Sequence, residues 1–93
     1  MIVMDSGTAT ARSDQDLSGL LRSVKFNGKF SAPPRNVFLA LAGFRCAPGR
    51  TGQPSCFVKL DKVTSEGFTY LVQKGAAASD ILEVTISWLA LDS

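Results

Sequence analysis

The chain has 93 residues, which is enough for one domain spanning residues 1–93 and too few for two. Its net charge of +2 is weak and its Lys and Arg residues form no basic run, which argues against nucleic-acid binding. No apolar stretch is long enough for membrane insertion. Because histidine is absent, the commonest general base and metal ligand are missing, so we expect no enzyme, no metal and no cofactor.

The first half of the chain predicts three strands separated by turns. Ile2 to Ala11 is rich in Thr, Ala and Ser and predicts a first strand, and Leu21 to Lys25 begins a second one. Asn27-Gly28 then indicates a turn. Val37 to Phe44 is almost entirely apolar, which favours a central strand that is buried on both faces.

The second half predicts three more strands. Cys56 to Val63 alternates between apolar and polar residues, and Ser65-Glu66-Gly67 indicates a hairpin turn. Apolar residues then recur at period two along one side of a fifth strand, at Phe68, Tyr70 and Val72. With the last strand, Glu83 to Asp92, the pattern predicts an all-β, six-stranded antiparallel sandwich.

The last strand is apolar on both faces towards its end. Four residues at period two form one face, namely Val84, Ile86, Trp88 and Ala90. Leu89 and Leu91 make the opposite face apolar as well. In so small a domain, this pattern indicates one face for the core and one face for a neighbouring subunit.

Two cysteines, Cys46 and Cys56, flank a loop that contains two prolines and two glycines. One disulfide could close this loop, which would indicate an oxidising location. Two free thiols in a reducing compartment fit the sequence equally well. The tip of this loop, which includes Arg50, is a candidate recognition site.

Several motifs follow one another in an order that is similar to a known family. Residues Val63-Thr64-Ser65-Glu66-Gly67-Phe68 resemble the hairpin of the H-type lectin domain family, and Ile86-Ser87-Trp88-Leu89-Ala90 resembles its final strand. Four further marks occur in the expected order, namely Ser6-Gly7, Val24-x-Phe26, Phe30, and Pro33-Pro34 followed by Val37 to Leu41.

The resemblance implies a homotrimer, or a higher homo-oligomer, that binds galactose or N-acetylgalactosamine glycans in shallow sites between protomers. Independently of the resemblance, we expect a secreted, cell-surface or virion-exposed location, although residues 1–4 are too short for a signal-peptide core. The family's sugar-binding carboxylate falls in the loop that carries Ser13, Asp14 and Asp16. The family's arginine corresponds to Ser55 in this chain, and Arg50 lies nearby in the sequence. The family's aromatic–histidine pair corresponds to the residues just after Lys74. The resemblance therefore gives as candidate ligand-binding residues Ser13, Asp14, Asp16, Arg50, Ser55 and Lys74.

Two alternatives remain open at this stage. Asp14 and Asp16 could simply belong to a solvated loop or cap a helical turn, and Trp88 favours a core position over ligand stacking. Because the family's arginine and ring residues are not matched, the domain could instead be a structural trimerisation or assembly domain, as in a virion fibre or another exposed particle, without sugar binding.

Overall fold

A computed structural model describes residues 4–47, 55–75 and 80–92, which form two three-stranded antiparallel sheets. The six strands are β1 (Met4–Arg12), β2 (Leu21–Lys25), β3 (Asn36–Cys46), β4 (Cys56–Val63), β5 (Gly67–Lys74) and β6 (Ile81–Leu91). The first sheet has the order β1-β6-β3 and the second has the order β2-β5-β4. The described residues include no helix of the length and apolarity needed to cross a membrane.

The all-β fold with six antiparallel strands is therefore confirmed, and β6 is the central strand of the first sheet. Its four inward residues, from Val84 to Ala90 at period two, are buried in the core as the alternation predicts. On its opposite face, Leu89 and Leu91 are only half-buried. The predicted core face of β6 is thus confirmed, while the covering of its other face by a neighbouring subunit stays a prediction.

The prediction that Val37 to Phe44 is a central strand buried on both faces is wrong. This segment lies in β3, which is an edge strand paired only with β6 in the first sheet. Its outward side chains face away from the second sheet, and Phe38 is 55% exposed. A strand that is apolar on both faces can have its outer face either covered by the same chain or exposed. In this structure the outer face of β3 is exposed.

Aromatic rings from both sheets meet in the core. The Trp88 ring of β6 lies 5.5 Å from the ring of Phe26 and 5.7 Å from the ring of Phe68. Phe26 also makes an edge contact with Phe30, with 5.0 Å between ring centroids. Such pairs each add about 0.5–1.5 kcal/mol beyond the burial of their area. Trp88 is therefore a core residue that joins the sheets, as favoured from the sequence.

Strand β1 accommodates the indole of Trp88 because its inward residues are small. Gly7 lies opposite Trp88 in the register, and a methyl group at Gly7 would come within 3.0 Å of the Trp88 Cζ2 atom. The indole packs against the rings of Phe26 and Phe68, so it has little space in which to move away from β1. The glycine of the Ser6-Gly7 motif is thus explained by steric constraint, because β1 approaches Trp88 closely at this position.

We predict that Gly7→Ala destabilises the fold by about 1–3 kcal/mol through overpacking against Trp88. In an unobstructed site the same change would stabilise by about 0.4–1 kcal/mol, because it restricts the unfolded chain. Denaturant unfolding monitored by tryptophan fluorescence measures the difference. Thr8→Ala on the outer face of the same strand is the control, with a change of about 0.5 kcal/mol or less. A Gly7→Ala variant as stable as the parent would contradict the steric explanation.

Candidate functional site

Three loops converge at one end of the sandwich, and backbone hydrogen bonds hold them together. The β1–β2 loop bonds to the start of β6 through Ser13 N–H to Leu82 O (2.9 Å). The β3–β4 connection bonds to the residue before β6 through Ala47 N–H to Asp80 O (2.8 Å). Gly75 N–H donates to Ser55 O across a distance of 2.8 Å. We call this surface, formed by residues 13–18, 47, 55, 74–75 and 80–82, the loop end.

The Asp16 carboxylate is the centre of the loop end. Its Oδ1 accepts hydrogen bonds from the backbone N–H of Ile81 (2.9 Å) and from that of Ser18 (3.2 Å). Its Oδ2 accepts from the Ser18 hydroxyl (2.6 Å) and from the Lys74 ammonium (2.9 Å). Since a carboxylate has about four acceptor positions, these four donors leave none free for a ligand.

The charge of Asp16 is strongly stabilised by this arrangement. Burial alone would raise the pKa of Asp16, but the hydrogen bonds from Ser18, Ile81 N–H and Lys74 outweigh it and hold the pKa far below its ordinary value. The Lys74 ammonium also lies 3.8 Å from an Asp80 carboxylate oxygen. Asp16 therefore stays ionised at all physiological pH values and fixes the position of the lysine.

Leu17 attaches the β1–β2 loop to the core. Its side chain is completely buried in the core, and its N–H donates to Ile81 O at 2.8 Å. Gly19 then turns the chain towards β2 with a positive φ of 79°, a conformation that glycine adopts readily. The polar loop is therefore attached to the core by one apolar residue, which makes the Asp16 side chain a fixed element and not a mobile tip.

The structure brings several of the predicted site residues together. Asp16 and Lys74 are in direct contact, and Ser55 lies against the glycine that follows Lys74. Ser13 lies at the base of the same loop, where its hydroxyl accepts a hydrogen bond from Gln15 N–H at 3.0 Å. Asp14 is exposed beside it. Arg50 lies outside the described residues.

Two features of the loop end were not foreseen as binding elements. Asp80 contributes a mostly exposed carboxylate near Lys74, with 61% of its side chain accessible. Gly75 allows the chain to pass close to Ser55, where a side chain at this position would collide with the serine hydroxyl. The sequence feature that could have predicted this close approach is the run of small residues after Lys74, since such residues permit close packing of the backbone.

Cys46 and Cys56 border the β3–β4 loop on the same side of the molecule, at the last position of β3 and the first of β4. Both are free thiols in the structure. Burial raises the pKa of the Cys56 thiol, and the charge of a Cys46 thiolate would raise it further. Cys56 is thus a weak nucleophile at neutral pH. Their oxidation to a disulfide stays a prediction.

The structure is a β sandwich in which the loops at one end carry a cluster of polar groups on the strand scaffold. No cluster of His, Cys, Asp and Glu suited to a metal ion occurs within residues 4–47, 55–75 and 80–92. Comparison with protein families then identifies the class, since the family model of the H-type lectin domain matches residues 21–91. The chain belongs to the H-type lectin domain family, a family of carbohydrate-binding lectins. No match to a curated protein is found.

We predict that acid destabilises the protein in part through Asp16. Because its pKa is lowered in the folded state, its contribution is fully present above the unfolded pKa of about 4 and is lost as the pH falls below that value. In Asp16→Asn, the unfolding free energy should be lower by about 1.5–3 kcal/mol at pH 7, and its decline between pH 5 and pH 2 should be shallower.

Denaturant unfolding at several pH values provides the measurement, and Asp14→Asn is the matched control. Asp14 is exposed and lies only two residues away, so its replacement should change stability by about 0.5 kcal/mol or less. The same acid slope in Asp16→Asn as in the parent protein would contradict the assignment.

Proposed function

We propose that the loop end binds terminal galactose or N-acetylgalactosamine residues of surface glycans. The observation that carries this proposal is the convergence of three loops on Lys74, which is held by a saturated Asp16 carboxylate. The ammonium group offers donors to sugar hydroxyls, while Asp14 and Asp80 are exposed carboxylates that can accept from them. Fixing such groups on a rigid scaffold reduces the entropy lost on binding.

In this proposal Asp16 is a positioning residue, while Asp14, Asp80 and Lys74 contact the sugar. Ser55, with a half-buried position next to Gly75, contributes a hydroxyl at the edge of the site. None of the loop-end residues named above carries an aromatic ring that could stack on the apolar face of a sugar. Binding by a single site is therefore weak, and several sites acting together supply useful avidity.

We also propose that three copies of the chain associate through the outer face of the first sheet. Phe38, Leu89 and Leu91 lie side by side there, and Met4 extends the apolar surface with 61% exposure. A shallow depression of about 200 Å³ lies among Phe38, Ala40 and Leu89. A contiguous apolar face of this kind favours burial against another subunit. Association would bring the loop ends of several protomers near one another.

The second candidate function is an assembly domain without sugar binding, as in a fibre or another exposed particle. The observation that favours it is the same apolar outer face, which supports association whether or not the loop end binds a glycan. Both functions agree with a secreted, cell-surface or virion-exposed location, where glycans and exposed particles occur. The two functions differ in whether Asp14 and Lys74 bind a sugar.

We predict that a glycan array with the purified protein gives signals for terminal galactose or N-acetylgalactosamine. Asp14→Ala should reduce these signals by at least about tenfold, because it removes one charged hydrogen bond worth about 1.5–3 kcal/mol, and it should leave the unfolding free energy unchanged. Lys59→Ala, which removes an exposed charge outside the loop end, is the control for non-specific charge effects. A blank array from a folded oligomer would favour the assembly function instead.

We predict a trimer of the parent protein in light scattering after size exclusion at micromolar concentration. Phe38→Ser should shift it towards the monomer, because the exposed ring would be central to the proposed interface. Phe57→Ser is a matched control, since Phe57 is 57% exposed and Phe38 is 55% exposed, but Phe57 lies on the other sheet. A parent protein that is monomeric, or a trimer lost only in Phe57→Ser, would contradict this interface.

A further inference from the structure

A second carboxylate with four donors lies at the opposite end of the sandwich, where the start of β1 meets the β2–β3 connection. Asp5 Oδ2 accepts hydrogen bonds from the backbone N–H groups of Asn27 (2.7 Å) and Gly28 (3.3 Å). Asp5 Oδ1 accepts from the Asn27 side-chain amide (3.0 Å) and from Ser6 N–H (2.9 Å). Because β1 belongs to the first sheet and β2 to the second, this carboxylate joins the two sheets.

Strand β1 holds the side chain of Asn27 in one orientation. The Asn27 Nδ2 atom donates to Asp5 Oδ1 and also to the carbonyl oxygen of Ser6, at 2.9 Å, so both hydrogens of the amide are in use. The backbone N–H of the same residue is bound to Asp5 as well. The side chain and the backbone of Asn27 therefore depend on the same short stretch of β1.

The turn that carries Asn27 is fixed to the second sheet on both sides. Phe26 N–H donates to Glu66 O (2.9 Å), and Phe30 N–H donates to Ser65 O (3.1 Å). Both phenylalanine side chains are buried in the core. On the other side of the contact, β1 is an edge strand that pairs only with β6 among the described strands. When the contact opens, the start of β1 is therefore the part that moves.

Asn27 and Gly28 form the dipeptide in which asparagine is most prone to deamidation, because glycine has no side chain to hinder ring closure. In this reaction the Gly28 backbone nitrogen bonds to Asn27 Cγ and loses its proton. The Asn27 side-chain nitrogen leaves with that proton as ammonia, which gives a succinimide ring. Water then opens the ring and leaves an aspartate or an isoaspartate at position 27.

The contact with Asp5 opposes this reaction in two ways. The hydrogen bonds of Asn27 Nδ2 prevent the side-chain amide from rotating towards the Gly28 nitrogen. Burial alone would raise the pKa of Asp5, but the hydrogen bonds from Asn27, Gly28 and Ser6 outweigh it and hold the pKa below its ordinary value, so the carboxylate is charged at neutral pH. A negative charge at this distance disfavours the anion that forms when the Gly28 nitrogen loses its proton.

We propose that Asn27 is a deamidation site that its contact with Asp5 protects in the folded protein. Reaction requires the start of β1 to move away from the turn. The product then carries a second carboxylate opposite Asp5, and the repulsion between the two charges opposes the return of β1. A single opening of the contact is thus converted into a permanent weakening of the link between the sheets. The site is remote from the loop end and does not depend on the sugar binding proposed there.

The test is peptide mapping by mass spectrometry of the full chain during incubation at neutral pH, which follows the conversion of the Asn27 amide to an acid. The folded parent should react at least about tenfold more slowly than the same chain unfolded in denaturant. Asp5→Asn should accelerate the reaction of the folded protein by about tenfold, the change in open population that the loss of one charge-assisted hydrogen bond produces.

Asp16→Asn is the control for lower overall stability, because it removes a carboxylate that also has four donors but lies at the other end of the sandwich. It should leave the rate at Asn27 unchanged. Equal acceleration in Asp5→Asn and Asp16→Asn would overturn the proposal, as would equal rates in the folded and the unfolded parent.

A second variant tests the consequence of the reaction. Asn27→Asp introduces the carboxylate of the product and should lower the thermal unfolding midpoint by about 5 °C or more at neutral pH. The loss should shrink at about pH 3, where carboxylates become protonated. Gln73→Glu adds the same charge at an exposed position of β5 and should shift the midpoint by about 2 °C or less. An Asn27→Asp protein as stable as the parent at neutral pH would contradict the proposed repulsion.

Discussion

The structure depends above all on the burial of one face of β6 against the aromatic residues of the second sheet. Trp88 makes this contact directly, because its ring reaches both Phe26 and Phe68. The contact requires a small residue on β1, which Gly7 supplies. Burial of a large aromatic residue with its partners is a major source of stability in a domain of 93 residues, where little core is available.

The same strand links the core to both proposed surfaces. At its beginning, the N–H of Ile81 donates to Asp16, so the position of β6 determines where the β1–β2 loop and Lys74 are held. Towards its end, Leu89 contributes the outward apolar face next to Phe38. A polar site at one end and an apolar face at the side are thus positioned by a single central strand, and both inherit the rigidity of the core.

Much of the fold could be predicted from the sequence because local patterns determine it. The alternation in the last strand predicted the buried face of β6, and glycine and proline marked the turns. The role of β3 could not be predicted in this way. An apolar residue such as Phe38 has the same pattern whether another sheet or another subunit covers it, and strand order depends on pairing between distant segments.

The candidate site could be predicted only in part for the same reason. Asp16 and Lys74 were identified as candidate ligand-binding residues, but their contact joins positions 58 residues apart, and Asp16 contacts Ile81 across 65 residues. Sequence alone does not show that these donors saturate the carboxylate. The structure therefore changes the interpretation of Asp16 from a group that would touch a sugar to one that positions Lys74.

We propose that a neutral sugar binds at the loop end, which is built on Asp16 and the start of β6. The most direct measurement is a titration of the isotope-labelled protein with N-acetylgalactosamine, followed by backbone amide shifts. We predict saturable shifts for the amides of Asp14, Lys74, Gly75 and Asp80, and unchanged amide positions for Ser23 and Thr69 on the second sheet. Saturable shifts confined to residues away from the loop end, in a protein that remains folded, would contradict it.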